Sequence, residues 1–122
     1  MSLEDFKQAL EDKDEILLTV TGRKSGRRVA RTVWFVHDSR RLDLLPIGGT
    51  TSQWFKNLLA NPTVELTADG ATVTATAEPI TEPGRVEAVV DKFRHKYGND
   101  DVKRYYKSPN AAVEVALTGA SS

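Results

Sequence analysis

The chain has 122 residues, with 17 Lys and Arg against 17 Asp and Glu, so its formal net charge at pH 7 is zero. That length bounds one domain, residues 1–122, with a single core, and zero net charge supplies no overall field toward nucleic acid or an anionic membrane surface. The sequence contains no cysteine, which excludes disulfides, thiolate catalysis and thiolate metal sites.

Leu3, Phe6 and Leu10 recur at helical spacing among acidic residues, which predicts a short amphipathic helix over Ser2–Glu11 capped by Ser2. No secretory h-region and no apolar run of ~20 residues is seen, so a cytoplasmic protein is expected. Glu15 to Thr21 is rich in β-formers and predicts the first strand. Val29 to His37 alternates, with Val29, Arg31, Val33 and Phe35 on one face and Ala30, Thr32, Trp34 and Val36 on the other. Arg41 to Leu45 returns as a hairpin partner after Asp38-Ser39-Arg40.

Pro46-Ile47-Gly48-Gly49-Thr50-Thr51 breaks the sheet. A helix from Gln53 to Ala60 follows, with Ser52 as its cap, Phe55, Leu58 and Leu59 as its buried stripe, and Asn61-Pro62 as its stop. Val64 to Ala68 and Ala71 to Glu78 flank Asp69-Gly70, a strong hairpin signal. From Thr81-Glu82-Pro83 a longer helix carries Val86, Val89, Val90, Phe93 and Tyr97 along one stripe and ends at Gly98-Asn99. Asp100 to Lys107 is a weaker helical segment, and Ala111 to Leu117 is the last strand before a frayed tail after Thr118. Six strands joined by tight turns, not by helical crossovers, predict an antiparallel barrel with inserted helices.

The segment from Thr19 to Thr32 concentrates the chemistry. Gly22 and Gly26 allow the chain to reverse between the first two strands, and Arg23, Lys24, Arg27 and Arg28 surround that bend with no carboxylate among them. A bend of one charge sign suits a phosphate or carboxylate, because guanidinium and backbone N–H groups make the strong charge-assisted bonds. The alternative is a hairpin tip that is basic only to stay solvated. A second basic stretch, Lys92 to Lys107, could meet the bend and line one anionic pocket.

His37 and His95 are the only imidazoles, and neither has Asp or Glu at a ligand spacing, so no metal site is expected. No nucleophile elbow is present. The cations are not interleaved with aromatics as nucleic-acid binding would want. A domain poor in acids and bases but holding a basic bend, a glycine loop and aromatic walls fits a protein whose cofactor does the chemistry.

Leu18-Thr19-Val20-Thr21-Gly22-Arg23-Lys24-Ser25-Gly26-Arg27, the Gly48-Gly49 loop and Trp54-Phe55-x-Asn57-Leu58-x-Ala60-Asn61-Pro62 resemble the deazaflavin-dependent nitroreductase family from about Glu15 to Leu117. The resemblance implies a split β-barrel of the pyridoxamine-phosphate-oxidase type and an oxidoreductase that passes hydride from reduced coenzyme F420 to a quinone, nitroaromatic or other activated acceptor. It implies a cofactor-binding set of Arg23, Lys24, Ser25, Gly26, Arg27, Arg31, Thr32, Gly48, Gly49, Trp54 and Asn57, and acceptor-side candidates Tyr97, Tyr105 and Tyr106. FMN in place of F420, and a non-catalytic flavin or lipid carrier, are the alternatives. A homodimer and a peripheral membrane contact through a quinone are compatible with it. Pro46 and Ile47 stand where relatives often carry small polar and basic residues, which removes one anion contact.

Overall fold

The computed structural model describes residues 3–38, 40–106 and 109–117. Helix α1 (Leu3–Ala9) leads into β1 (Glu15–Thr21), β2 (Arg28–His37) and β3 (Arg41–Leu44). A 3-10 turn at Gly49–Thr51 and α2 (Gln53–Ala60) follow, then the hairpin β4 (Thr63–Ala68) and β5 (Ala71–Ile80). Helices α3 (Pro83–Tyr97) and α4 (Asn99–Tyr105) precede β6 (Ala112–Ala116). All strand pairs are antiparallel and close a barrel in the order β1-β2-β3-β6-β5-β4.

Alternation fills the barrel. Ile16, Leu18 and Val20 of β1, Val64 and Leu66 of β4, and Val73 and Ala75 of β5 point inward with Phe35, Leu42 and Leu44. Phe6 and Leu10 of the α1 region and Phe55 and Leu58 of α2 join the same core. A second cluster lies outside the barrel, where Val86, Val89, Val90 and Phe93 of α3 cover Val36, Leu45, Ile80 and Ala112. Glu82 starts α3, its carboxylate accepting from Gly84 N at 3.1 Å and Arg85 N at 2.7 Å.

The expected elements and fold class agree with the structure, with boundary shifts of a residue or two. Three local expectations do not. Ser52 precedes α2 but its side chain makes no capping bond. Leu59 is 54% exposed while Asn57 is buried, because the inward arc of α2 runs through Phe55 and Leu58 and turns toward Asn57. Only Gly26 of the bend takes positive φ, at 73°. Gly22 instead permits close approach, since a Cβ there would lie 2.9 Å from Ser25 Oγ and 3.3 Å from Arg27 O. The expected Ser2 cap, the Lys107 end of the weaker helix and the tail after Thr118 fall outside the described residues.

One topological detail positions the site. β2 is ten residues long, but Arg28–Trp34 pair only with β1 and Phe35–His37 only with β3. The other edge of Arg28–Trp34 therefore has no strand neighbour among the described residues, and this is where the barrel is split. The β1–β2 ladder ends at Glu15 opposite Trp34, so Asp14 and Phe35 would be its next rung. Tyr97 takes that place. Its hydroxyl accepts from Phe35 N at 3.0 Å and lies 2.7 Å from Asp14 O and 2.8 Å from Phe35 O, to either of which it can donate. Tyr97→Phe is expected to lower stability by about 1–2 kcal/mol through the orphaned backbone groups, read as a shift of the urea midpoint. An unchanged midpoint would show that the bridge contributes nothing.

Candidate active site

A cleft of about 530 Å³ opens along the free edge of β2, lined by Glu15, Arg31, Thr32, Val33, Trp34, Leu45, Ile47, Trp54, Tyr105 and Tyr106. Four successive β2 residues line it. A strand can present four in a row only along an edge, since successive side chains point to opposite faces. Arg31 and Thr32 thus belong to one cleft although they leave the strand in opposite directions. A neighbouring lobe of about 450 Å³ is lined by Pro46, Ile47, Gly48, Gly49, Arg104, Tyr105, Tyr106 and Pro109. Ile47, Tyr105 and Tyr106 line both and so divide two lobes of one depression.

Trp34 organises the aromatic wall. Its ring stacks on Tyr97 at 4.1 Å and 11°, and meets Tyr105 at 5.4 Å and Tyr106 at 6.2 Å edge-on. The sequence reading left Trp34 out of the site. Its signal was a tryptophan on the Ala30–Thr32 face of a strand, where a solvated side chain would be usual.

The three tyrosines have different standing. The Tyr97 hydroxyl is occupied by backbone, and Phe35 O also receives Lys96 Nζ at 2.8 Å. Tyr105 is exposed and lines both lobes. The Tyr106 ring is buried against Phe93 at 5.8 Å, yet its hydroxyl has no hydrogen-bond partner among the described residues. Burial pushes the Tyr106 phenol well above its ordinary range, so it stays protonated across physiological pH.

The basic bend is fastened to α2. Arg23 Nη1 donates to Asn57 Oδ1 at 2.7 Å, Arg23 N donates to the same oxygen at 3.1 Å, and Arg23 Nη2 donates to Gln53 Oε1 at 2.9 Å. Gln53 and Asn57 flank Trp54 on that helix, so the bend is tied to the helix that bears the indole wall. Inside the bend, Gly22 N donates to Arg27 O at 2.7 Å, Gly26 N to Gly22 O at 2.9 Å and Arg27 N to Ser25 Oγ at 3.1 Å. Three N–H groups are therefore used inside the bend and Arg23 N is given to α2, while those of Lys24 and Ser25 have no partner among the described residues. Arg28 is paired with Glu65. Lys24 and Arg27 have no carboxylate partner among the described residues, and Arg31 bonds only the Ala30 carbonyl, at 3.1 Å.

Gly48 and Gly49, which the resemblance expects to bind the cofactor, line the second lobe and not the cleft of Trp34 and Trp54, with φ of 86° and 60°. A Cβ on Gly49 would collide with Asn110 Oδ1, which accepts from Thr50 N at 2.9 Å. The need for glycine at 49 thus comes from the chain's own Asn110. Of the second basic stretch, Arg104 reaches the cleft, whereas Lys92 and Lys96 line a separate groove with His37 and His95. Among the described residues no group of three or more His, Cys, Asp or Glu could hold a metal ion. No described helix is long and apolar enough to cross a membrane.

Comparison with known proteins gives the family of this barrel and its aromatic cleft. The model of the F420H(2)-dependent quinone reductases matches residues 5–116, and the chain belongs to that family. It is an oxidoreductase family, and the cofactor is coenzyme F420. Among solved structures, the F420-H2 dependent reductase FDR-A is 20% identical over 84% of this chain and 94% of its own, with a TM-score of 0.67. A protein solved as a domain-swapped dimer is 20% identical over 92% of this chain and 94% of its own, at 0.67. A candidate pyridoxamine 5'-phosphate oxidase from Listeria innocua is 17% identical over 93% of this chain and 90% of its own, at 0.67. At these identities the likeness establishes the split-barrel fold. No curated protein sequence matches.

Proposed function

We propose that this domain is a reductase that uses F420H2 to reduce quinones, and also nitroaromatics of similar shape, in the cytoplasm. The observation that carries the reading is the cleft along the β2 edge, walled by Trp34 and Trp54 and tied through Arg23, Gln53 and Asn57 to a bend bearing unpaired cations. The residues suit the cofactor. Indole and phenol faces and a strand edge accept a flat ring with polar rim atoms, and Lys24, Arg27 and Arg31 offer charge to its phosphate and glutamate tail. When bound, reduced F420 supplies the hydride, and a quinone that takes it with one proton becomes the hydroquinone.

The protein's own part is position, dryness and a proton. Trp54 and the Val33–Trp34 edge hold the ring in one plane, which makes the transfer distance reproducible. Ile47, Tyr105 and Tyr106 separate the ring lobe from the second lobe and exclude water between them. Tyr106 holds its hydroxyl proton at that boundary, available to the acceptor oxygen. Tyr106→Phe should lower kcat by about tenfold to a hundredfold with F420 affinity unchanged, checked by steady-state kinetics and cofactor fluorescence. A wild-type kcat in that variant would assign the proton to water.

Assembly as a homodimer is part of the proposal. Its support is the uncovered outer face of β1, β2 and β4, where exposed Leu17 stands among Thr19, Ala30, Thr32 and Thr67. The function is tested by mixing purified protein with F420H2 and menadione under anaerobic conditions and following the return of the oxidised cofactor's absorbance. Absence of catalysed oxidation across neutral quinones and nitroaromatics would overturn it.

A further inference from the structure

The second lobe holds a cation that the hydride-transfer reading does not use. Arg104 stands in the last turn of α4 and lines this lobe with Gly48, Ile47 and Tyr105. It is exposed and has no carboxylate partner among the described residues, whereas Arg28, Arg41, Arg85 and Arg94 each have one. The last turn of a helix already attracts a cation, so solvation at the C-terminus is one role for Arg104. Two observations ask for more.

The lobe is otherwise apolar and aromatic, with Ile47 60% exposed and Tyr105 45% exposed at its rim. Two large apolar side chains held open beside an unpaired guanidinium form a surface for a flat ring with a negative substituent. The loop that lines the lobe also carries an N–H without a partner. Around Gly48 the N–H groups of Gly49, Thr50 and Thr51 are taken by Pro46 O, Asn110 Oδ1 and Gly48 O, while the Gly48 N–H has no partner among the described residues. Lobe and ring cleft share Ile47, Tyr105 and Tyr106 in their linings, while Arg104 lines the lobe alone and Arg31, Trp34 and Trp54 line the cleft alone.

We propose that Arg104, with the Gly48 N–H, determines acceptor specificity by selecting aromatic acceptors that carry an anionic substituent, such as a sulfonate, carboxylate or ionised hydroxyl. This rests on the quinone-reductase reading, but its test does not need turnover. The guanidinium bonds the anion as Tyr105 and Ile47 cover the ring, and charge-assisted geometry fixes which edge faces the cofactor lobe.

The probe pair is 9,10-anthraquinone-2-sulfonate and 2-(hydroxymethyl)-9,10-anthraquinone, which share a ring system, do not react with amines and differ in the charged group. Binding is read by quenching of tryptophan fluorescence in the cofactor-free protein, and turnover by F420H2 oxidation. The wild type should bind the sulfonate about five- to tenfold more tightly than the neutral quinone, with the difference shrinking as salt rises. Arg104→Gln should erase the difference, Arg104→Lys should restore part of it, and neither should change F420 affinity. Equal binding of the two probes by the wild type overturns the proposal, as does a preference that survives Arg104→Gln. Weakened F420 binding in Arg104→Gln also overturns it, because Arg104 would then be a contact of the cofactor's own tail. Selective binding without turnover would leave the proposal standing and remove the reductase reading instead.

Discussion

Replacing Lys24 and Arg27 together with alanine should weaken F420 binding by about 25- to 100-fold and leave the fold unchanged. Each exposed charge-assisted contact is worth about five- to tenfold, and the two side chains share no hydrogen bond that would couple them. Both stand on the bend and neither has a carboxylate partner among the described residues, so their removal leaves nothing buried unpaired. Arg23 is the wrong residue for this test, because its guanidinium holds Asn57 and Gln53. Arg23→Ala would remove both guanidinium bonds, leaving Asn57 Oδ1 only the Arg23 N–H, and loosen the bend from α2, mixing stability with affinity. Fluorescence titration of the double variant across a salt series measures the effect. Wild-type affinity would mean that the cofactor tail leaves the cleft in another direction.

The second large effect is on stability. Gly49→Ala is expected to cost about 3 kcal/mol and to lower Tm by roughly 10 °C. The residue sits at φ of 60°, where a Cβ is disfavoured by about 1–2 kcal/mol. The new Cβ would also displace Asn110, whose Oδ1 accepts from Thr50 N and whose Nδ2 donates to Thr50 Oγ1 at 3.3 Å. Asn110→Ala alone should cost about 1 kcal/mol for the lost bonds. The double variant should be destabilised by less than the sum of the two, since the collision is gone and only the backbone strain and the missing bonds remain. Strict additivity, read by thermal denaturation, would show that Asn110 moves aside freely and that φ alone demands glycine.

Much of the fold is legible in the sequence because its signals are local. Asp69-Gly70 marked the turn between β4 and β5, alternation marked β2, and Val86, Val89, Val90 and Phe93 marked the packed face of α3. The family resemblance, carried by the Thr-Gly-Arg-Lys-Ser-Gly bend, the glycine pair and the Trp-Phe-x-Asn segment, led to the cofactor. What was not legible depends on long-range pairing. Alternation in β2 reads the same whether its edge is paired or free, so the split of the barrel could not be placed along Arg28–Trp34. The stacking of Trp34 on Tyr97 joins residues far apart in the chain, and so does the use of the Tyr97 hydroxyl as a backbone bridge. A cation's partner is equally hidden. Arg23 and Lys24 are neighbours of like charge, yet one is committed to α2 and the other has no partner among the described residues.

The same limit explains Asp43. It is buried at 1% exposure between Arg41 at 3.6 Å and Lys92 at 3.4 Å, and burial raises its carboxyl above the usual range. In the strand register it faces Glu114, which in turn faces Glu78. In sequence it is one acid in an ordinary four-residue strand, and only the overlying α3 makes it internal.

In the proposed complex F420 lies along the open edge of β2, against Trp34 and Trp54, with its anionic tail on the basic bend. The most direct measurement is a titration of isotope-labelled protein with F420, followed by amide and indole chemical shifts. The largest shifts are expected at the indole N–H groups of Trp34 and Trp54, the amides of Ala30 to Trp34 and the amides of Lys24 to Arg27, all saturating together. Shifts confined to the groove around His37, Lys92 and His95, with both indoles unmoved, would contradict it.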